Sequence, residues 1–192
     1  MTSHLVLNSD IEGPWPEGSQ RIYLGMGCFW GAERKLWQIP GVVTTAVGYM
    51  GGDGQDPTYP LVCTGVTGHA ETVLVVYNDA DVELFDILKV FWENHDPTQG
   101  NRQGNDIGTQ YRSAVYWTSP EQEAIVRQTA ESYDKVLVSK GFDPITTELR
   151  EADGLVFWYA EDYHQQYLIK NPNGYDCHAH TGIDLPARVV MS

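Results

Sequence analysis

The sequence predicts an α+β protein: a two-layer α/β plait with a ferredoxin-like core, helices on a mixed sheet, and a long irregular C-terminal tail. Three observations predict it. Runs of β-branched and aromatic residues alternate with amphipathic stretches in the order β-α-β-β-α-β-α-β, which packs helices onto a sheet. Hydrophobic residues make up 42 % of the 192, with 19 glycines besides, enough for a packed core and too many for disorder. No apolar run approaches the roughly 20 residues of a membrane span.

Residues 1–20 hold Gly13, Pro14, Pro16 and Gly18 with little apolar periodicity, and read as an arm ahead of a single domain over 21–192. The first strand is Arg21–Leu24. A helix follows Cys28 and runs to about Gln38, where Pro40-Gly41 stops it. Between strands Val42–Gly48 and Thr72–Tyr77 lies the turn-rich, aperiodic stretch Tyr49–Pro60. The next helix spans about Val82–Asn94, with Leu84, Phe85, Leu88, Phe91 and Trp92 on one stripe. His95–Tyr111 again lacks periodicity, and connections that long are uncommon unless functional or disordered. After strand Ser113–Trp117, Ser119 caps a helix with Pro120 at its first position. Its apolar face is Ile125, Thr129, Tyr133, Val136 and Leu137, and Gly141 follows its end. Ile145–Leu149 reads as the last strand. A turn-rich tail, expected to be mobile over 170–192, carries Cys177. The two long loops and this tail are expected to meet at the site.

Charge and cysteine count narrow the class. Twelve Lys and Arg stand against 26 Asp and Glu, a net charge of −14. Phosphate contact requires clustered cations, so nucleic acid is excluded as the main partner, and an anionic membrane surface likewise. Three cysteines make no disulfide scaffold and leave at least one thiol free. Met1 to Arg21 lacks a basic region followed by a continuous apolar stretch, so no secretory signal is visible and a reducing cytoplasmic setting is expected.

The most informative segment is Gly25-Met26-Gly27-Cys28-Phe29-Trp30-Gly31, directly after a strand and opening a helix. A cysteine there faces free backbone N–H groups and the positive end of the helix dipole, which favour thiolate. The glycines allow close approach, while Phe29 and Trp30 line an apolar pocket beside the sulfur. The bland alternative, a small buried hydrophobe at a tight turn, suits most free cysteines but not one so flanked. A dinucleotide fingerprint fails because the third glycine is misplaced. A papain-like hydrolase stays open, since His164 lies within the roughly 130–150 residues downstream that such a base occupies, with Asn171 beyond it. Redox chemistry also stays open, with Cys28 attacking and Cys177 resolving. Cys177-His178-Ala179-His180 offers a non-catalytic metal or thiol module, although ligands so close crowd one ion. Cys63 reads as structural.

Gly27-Cys28-Phe29-Trp30-Gly31 resembles the active-site signature of the A-type peptide methionine sulfoxide reductases. Further segments resemble the same family in collinear order: Val47-Gly48-Tyr49, Gly51-Gly52, Pro57-Thr58-Tyr59, Thr67-Gly68-His69-Ala70-Glu71, Phe91-Trp92-Glu93-Asn94-His95-Asp96-Pro97, Gln103-Gly104-Asn105-Asp106, Gly108-Thr109-Gln110-Tyr111-Arg112-Ser113, His164-Gln165-Gln166-Tyr167 and Asn173-Gly174-Tyr175. Together they cover about residues 21–177.

The resemblance implies reduction of methionine S-sulfoxide, free or in oxidised proteins, without prosthetic cofactor; the chain is expected to act as a monomer. It implies that Cys28 is the nucleophile and that Phe29 and Trp30 receive the substrate methyl group. Glu71, Tyr59 and Tyr111 then donate to the sulfoxide oxygen, with Asp106 in support. Glu71 must stay protonated for this, and apolar neighbours would raise its pKa. Cys177 is implied to condense with the Cys28 sulfenic acid, and thioredoxin or a related external dithiol to restore both thiols. The tail holds one cysteine where some family members have two, and Met26 stands where a glycine is common.

Overall fold

Residues 3–177 and 179–188 are described by a computed structural model of the chain. The chain runs β1 (Gln20–Met26), α1 (Phe29–Trp37), β2 (Val42–Met50), α2 (Tyr59–Cys63), β3 (Ala70–Tyr77) and α3 (Leu84–Glu93). It continues through β4 (Arg102–Gln103), β5 (Asp106–Ile107), a 3-10 turn at Thr109–Tyr111, β6 (Ser113–Trp117), α4 (Pro120–Ser139), β7 (Glu148–Glu151), β8 (Trp158–Tyr159) and α5 (Tyr167–Lys170). Six strands form one mixed sheet in the order β7-β6-β1-β3-β2-β8, and β4 pairs with β5 separately. Among the described residues only β6 and β7 run parallel; the other pairings are antiparallel.

Alternation along the strands divides the core in two. On β1, Ile22, Leu24 and Met26 face the helix layer and Tyr23 the other side; on β3, Val73, Val75 and Tyr77 oppose Leu74 and Val76. The register of β2 shifts between Val42 and Thr44, which lets Val42 join Val47 and Tyr49 on the helix side. The helix layer contributes Phe29, Leu36, Ile87, Phe91, Trp92 and Tyr133 to that side. Trp92, fully buried, donates its indole N–H to Thr129 Oγ1 at 3.0 Å and so couples α3 to α4. Truncating a side chain of that size and burial costs about 3–5 kcal/mol.

The opposite face is covered by irregular chain. Ile11 and Trp15 from the N-terminal segment pack there with Ala152, Leu155 and Phe157. The expected arm is thus laid onto the body, with His4 and Ile11 fully enclosed.

The last strand expected from the sequence forms later than Ile145–Leu149, at Glu148–Glu151. Ile145 instead packs against the helix-side core while its N–H donates to Asp134 Oδ1 at 2.8 Å, outside any ladder. The tail is irregular, as expected, and lies along the helices. Tyr133 OH meets Thr181 Oγ1 at 2.7 Å, Leu185 N–H donates to Glu93 Oε1 at 2.7 Å, and Arg188 pairs with Glu83 at 2.9 Å. Among the described residues no helix is long and apolar enough to cross a membrane.

Candidate active site

Cys28 occupies the N-cap of α1 with φ −51° and ψ 121°, so its side chain stands over the first helical turn. That turn contains no acidic residue, which leaves its N–H groups for other acceptors. Phe29 N–H donates to Glu71 Oε2 at 3.0 Å, and the Trp30 and Gly31 N–H groups reach the Cys28 sulfur. One turn of backbone therefore holds a carboxyl and a thiol side by side.

Both groups are buried, and burial dominates their protonation. Desolvation raises the Glu71 carboxyl to about 8; the Phe29 N–H opposes the shift and the Asp106 charge adds to it. Burial, then the Glu71 charge, pushes the Cys28 thiol well above its ordinary value against the pull of the two N–H groups. This corrects the expectation that the helix terminus favours thiolate. The donors are present, but removal from water outweighs them, so the resting sulfur is a thiol.

Tyr59 and Tyr111 approach Glu71 from different elements. Tyr59 opens α2 after the N-cap Thr58, and Tyr111 closes the 3-10 turn. Burial raises both phenols, and the Glu71 charge is the next contributor to each. Glu161 fixes Tyr59 in place: its Oε1 accepts Tyr59 N–H at 2.9 Å, while its Oε2 accepts the Tyr49 hydroxyl at 2.7 Å. Ahead of Glu71, the His69 ring clamps the glycine loop, accepting Gly52 N–H at 3.1 Å and meeting the Gly54 carbonyl at 2.7 Å.

Aromatic rings enclose the first turn of α1. Phe29 lies 5.8 Å from Tyr49 and 5.1 Å from His164, centroid to centroid. Trp30 stacks on Tyr167 at 3.8 Å and donates Nε1–H to His164 Nδ1 at 2.9 Å. His164 is thereby an acceptor of the indole, and burial lowers its pKa to about 4. The groups that act on Cys28 are Glu71, Asp106 and the two backbone N–H groups, not His164. The hydrolase alternative fails on this geometry, since its base is committed to Trp30.

The tail crosses the same turn. A Cβ on Gly31 would collide with the Asp176 carboxylate, which pairs with Arg34 one turn along α1. The Tyr175 hydroxyl reaches both Asp106 oxygens at 3.2 Å, and Cys177 S–H donates to the Gln103 carbonyl at 3.6 Å. All eight residues expected from the sequence thus gather around one helix terminus, Asp106 and Cys177 on the tail side. Cys63, expected to be structural, lies exposed at the end of α2, hydrogen-bonded to the Tyr59 hydroxyl. Of the metal alternative, His178 lies outside the described residues, among which no group of three His, Cys, Asp or Glu is placed to hold an ion.

Several residues escaped sequence reasoning. Glu161 sits in a polar stretch with no motif of its own, and Glu33 looks like one more surface charge on a helix. Gln103 and Tyr175 lie in segments that resemble the family, but their residue types announce no role. Only the residue-to-residue distances reveal what they hold.

Residues 20–188 match the family described as peptide methionine sulfoxide reductase. A curated relative named peptide methionine sulfoxide reductase MsrA, from Brucella anthropi, is 55 % identical over 185 residues, covering 96 % of this chain and 84 % of its own. The solved methionine sulfoxide reductase A of Corynebacterium diphtheriae superposes with a TM-score of 0.84 at 48 % identity, covering 96 % of this chain and 90 % of that one. Saccharomyces cerevisiae Mxr1 in its reduced form follows with a TM-score of 0.76 at 34 % identity, covering 87 % and 93 %. The structure of Mxr1 in complex with Trx2 shares the fold at 20 % identity, covering 91 % and 97 %, with a TM-score of 0.52.

Proposed function

The chain belongs to the peptide methionine sulfoxide reductase family, and from that premise we propose that Cys28 attacks the sulfur of methionine S-sulfoxide, free or in oxidised proteins. The observation that carries this reading is the shared helix turn, where Phe29 N–H holds Glu71 at 3.0 Å beside the sulfur that the next two N–H groups reach.

Phe29 and Trp30 receive the substrate methyl group, a burial worth on the order of 1 kcal/mol. The sulfoxide oxygen gathers negative charge as sulfur is attacked, so donors aimed at it stabilise the transition state. Glu71 is protonated at neutral pH and gives its proton to that oxygen; Oε1 is the atom left to carry it, since Oε2 accepts from Phe29. Tyr111 keeps its proton and donates alongside, and Tyr59 does the same once its hydroxyl turns from Cys63 to the substrate. Asp106 orients this side of the pocket. The Cys28 thiol proton replaces the one Glu71 gave. The sulfur–oxygen bond of the substrate breaks, one forms on Cys28, and the products are methionine and a Cys28 sulfenic acid.

Cys177 then attacks the sulfenic sulfur. A disulfide forms, and the hydroxyl leaves as water with the Cys177 thiol proton. The tail must first release the thiol from the Gln103 carbonyl. An external dithiol of the thioredoxin type restores both thiols by exchange, and no prosthetic cofactor takes part. The complex of Mxr1 with Trx2 supports that choice of reductant, and a reducing cytoplasm suits it. The chain completes this cycle as a monomer.

The test is one turnover. Reduced enzyme is mixed with a methionine S-sulfoxide peptide without reductant, and its thiols are mapped by mass spectrometry. The expected result is a Cys28–Cys177 disulfide, one equivalent of methionine and an unmodified Cys63. Unchanged thiols with intact substrate would overturn the reading.

A further inference from the structure

Glu33 takes no part in the chemistry above, yet it is wholly buried on α1, three residues after Trp30. Three donors converge on its carboxylate. Thr45 Oγ1–H reaches Oε1 at 3.0 Å, Gln166 Nε2–H reaches Oε1 at 2.9 Å, and Gln166 N–H reaches Oε2 at 2.8 Å. A carboxylate removed from water is retained only where its lone pairs are so occupied.

The chain of bonds continues behind it with a fixed direction. His4, fully buried, accepts the Val6 and Leu7 N–H groups on Nδ1, both at 3.1 Å. Its proton therefore sits on Nε2, which donates to Thr45 Oγ1 at 2.9 Å. The Thr45 hydrogen is left for Glu33. The N-terminal segment is thus tied through Thr45 to the carboxylate.

In front of Glu33 stands the wall of the pocket. Gln166 has φ 47° and ψ 42°, a left-handed conformation that a non-glycine residue keeps only when its surroundings impose it. On either side of it the chain grips Trp30: His164 accepts the indole N–H at 2.9 Å, and Tyr167 stacks on the ring at 3.8 Å with the planes 13° apart. The Gln165 amide anchors the same segment to Val47, accepting its N–H at 2.9 Å and donating to its carbonyl at 2.8 Å.

We propose that Glu33, backed through Thr45 by His4, is a positioning residue that sets the orientation of Trp30 by holding the 164–167 segment, and so sets how tightly the pocket fits a methyl group. The inference rests on the reading of Trp30 as a wall of the methyl pocket. It makes residues at the start of the chain part of substrate discrimination, although they do not touch the substrate.

The experiment compares kcat/KM for methionine sulfoxide with that for its S-ethyl homologue, using a small dithiol as reductant. One methylene in a fitted apolar pocket is discriminated by roughly 10–200-fold. Glu33→Ala is expected to lower the methyl-over-ethyl ratio by about tenfold, Glu33→Gln by less because its amide oxygen still accepts, and His4→Leu by about threefold. A merely structural role lowers both substrates alike and leaves the ratio unmoved; that result in Glu33→Ala, or in His4→Leu should Glu33→Ala not fold, overturns the inference. Trp30→Ala in the same assay separates the two readings. If it collapses the ratio while the Glu33 and His4 variants do not, only the positioning fails. If it leaves the ratio intact, the pocket assignment fails and the inference with it.

Discussion

The Cys177 thiol rests on the carbonyl of Gln103 at 3.6 Å, and the same Gln103 presses its side chain against the backbone beside Cys28. A Cβ built on Gly27 would lie 2.7 Å from Gln103 Cγ and 2.8 Å from its Cβ. Gln103 therefore sits between the residue that precedes the attacking sulfur and the sulfur proposed to resolve it. Its amide is fixed in turn by Asp96, whose N–H donates to Gln103 Oε1 at 3.0 Å.

Gly27→Ala is expected to disturb both sides of this contact. Gly27 has φ +89°, a region that favours glycine, and the added methyl finds no room. A loss of roughly 2–3 kcal/mol follows from strain and overlap together. For a chain of this size that is a fall in Tm of about 5–10 °C, read by calorimetry. Disulfide formation after the first turnover should also slow, because the resting place of Cys177 moves. A variant melting within a degree of the parent would sink the account.

The pH profile of the first turnover follows from Glu71 and Cys28. Both carry protons at rest, since burial raises the carboxyl to about 8 and the thiol well above its ordinary value. The rate is expected to be flat below pH 8 and to fall tenfold per pH unit once Glu71 ionises. Rapid-quench measurement of methionine release tests this. Glu71→Gln keeps an acceptor for Phe29 N–H but has no proton to give, so its rate should fall about 10²–10⁴-fold and lose that limb. A rate that climbs toward pH 8 in the parent would show that thiolate, not thiol, is the reactive form.

Removing single thiols should separate three roles. Cys177→Ser is expected to release one equivalent of methionine and stop with a sulfenic acid that a dimedone-type trap labels on Cys28. Cys63→Ser, which keeps a hydroxyl beside Tyr59, should complete the cycle. Loss of the first turnover in Cys177→Ser would give that residue a task before resolution.

The parts legible in the sequence are those with a period or a local rule. The alternation of Val73, Leu74, Val75 and Val76 marks β3 because its two faces meet two cores. Ser119-Pro120 marks the start of α4 because an N-cap and a first-turn proline act within a few residues; Ser119 Oγ accepts Gln122 N–H at 3.3 Å. The two-residue strands β4, β5 and β8 are too short for any period, and their neighbours decide them. The site divides in the same way. Cys28, Phe29 and Trp30 are adjacent in sequence and announce themselves. Glu161 and Glu33 act across more than 100 residues of chain, on Tyr59 and Gln166, and only folding brings those partners within 3 Å.

Stability against pH should reflect two opposed sets of buried groups. Burial lowers His4, His95 and His164 from 6.5 to about 4. Between those values the unfolded chain holds protons that the native chain does not, so the histidine contribution to stability grows with pH from about 4 to 6.5. Burial raises Glu33 from 4.5 to about 7 and Glu71 from 4.5 to about 8. Here the native state holds the extra protons, and the carboxyl contribution to stability shrinks as pH rises from 4.5 until each carboxyl ionises in the native state too. Above pH 6.5 the histidine contribution is complete and only the carboxyl decline remains. Tm should therefore drop between pH 6.5 and 8, a window where an ordinary chain is nearly flat. Glu71→Gln should remove the part of that drop between 7 and 8 and melt higher than the parent at pH 8, while losing activity. A parent Tm that stays level from pH 6.5 to 8 would mean that neither carboxyl holds its proton in the folded state.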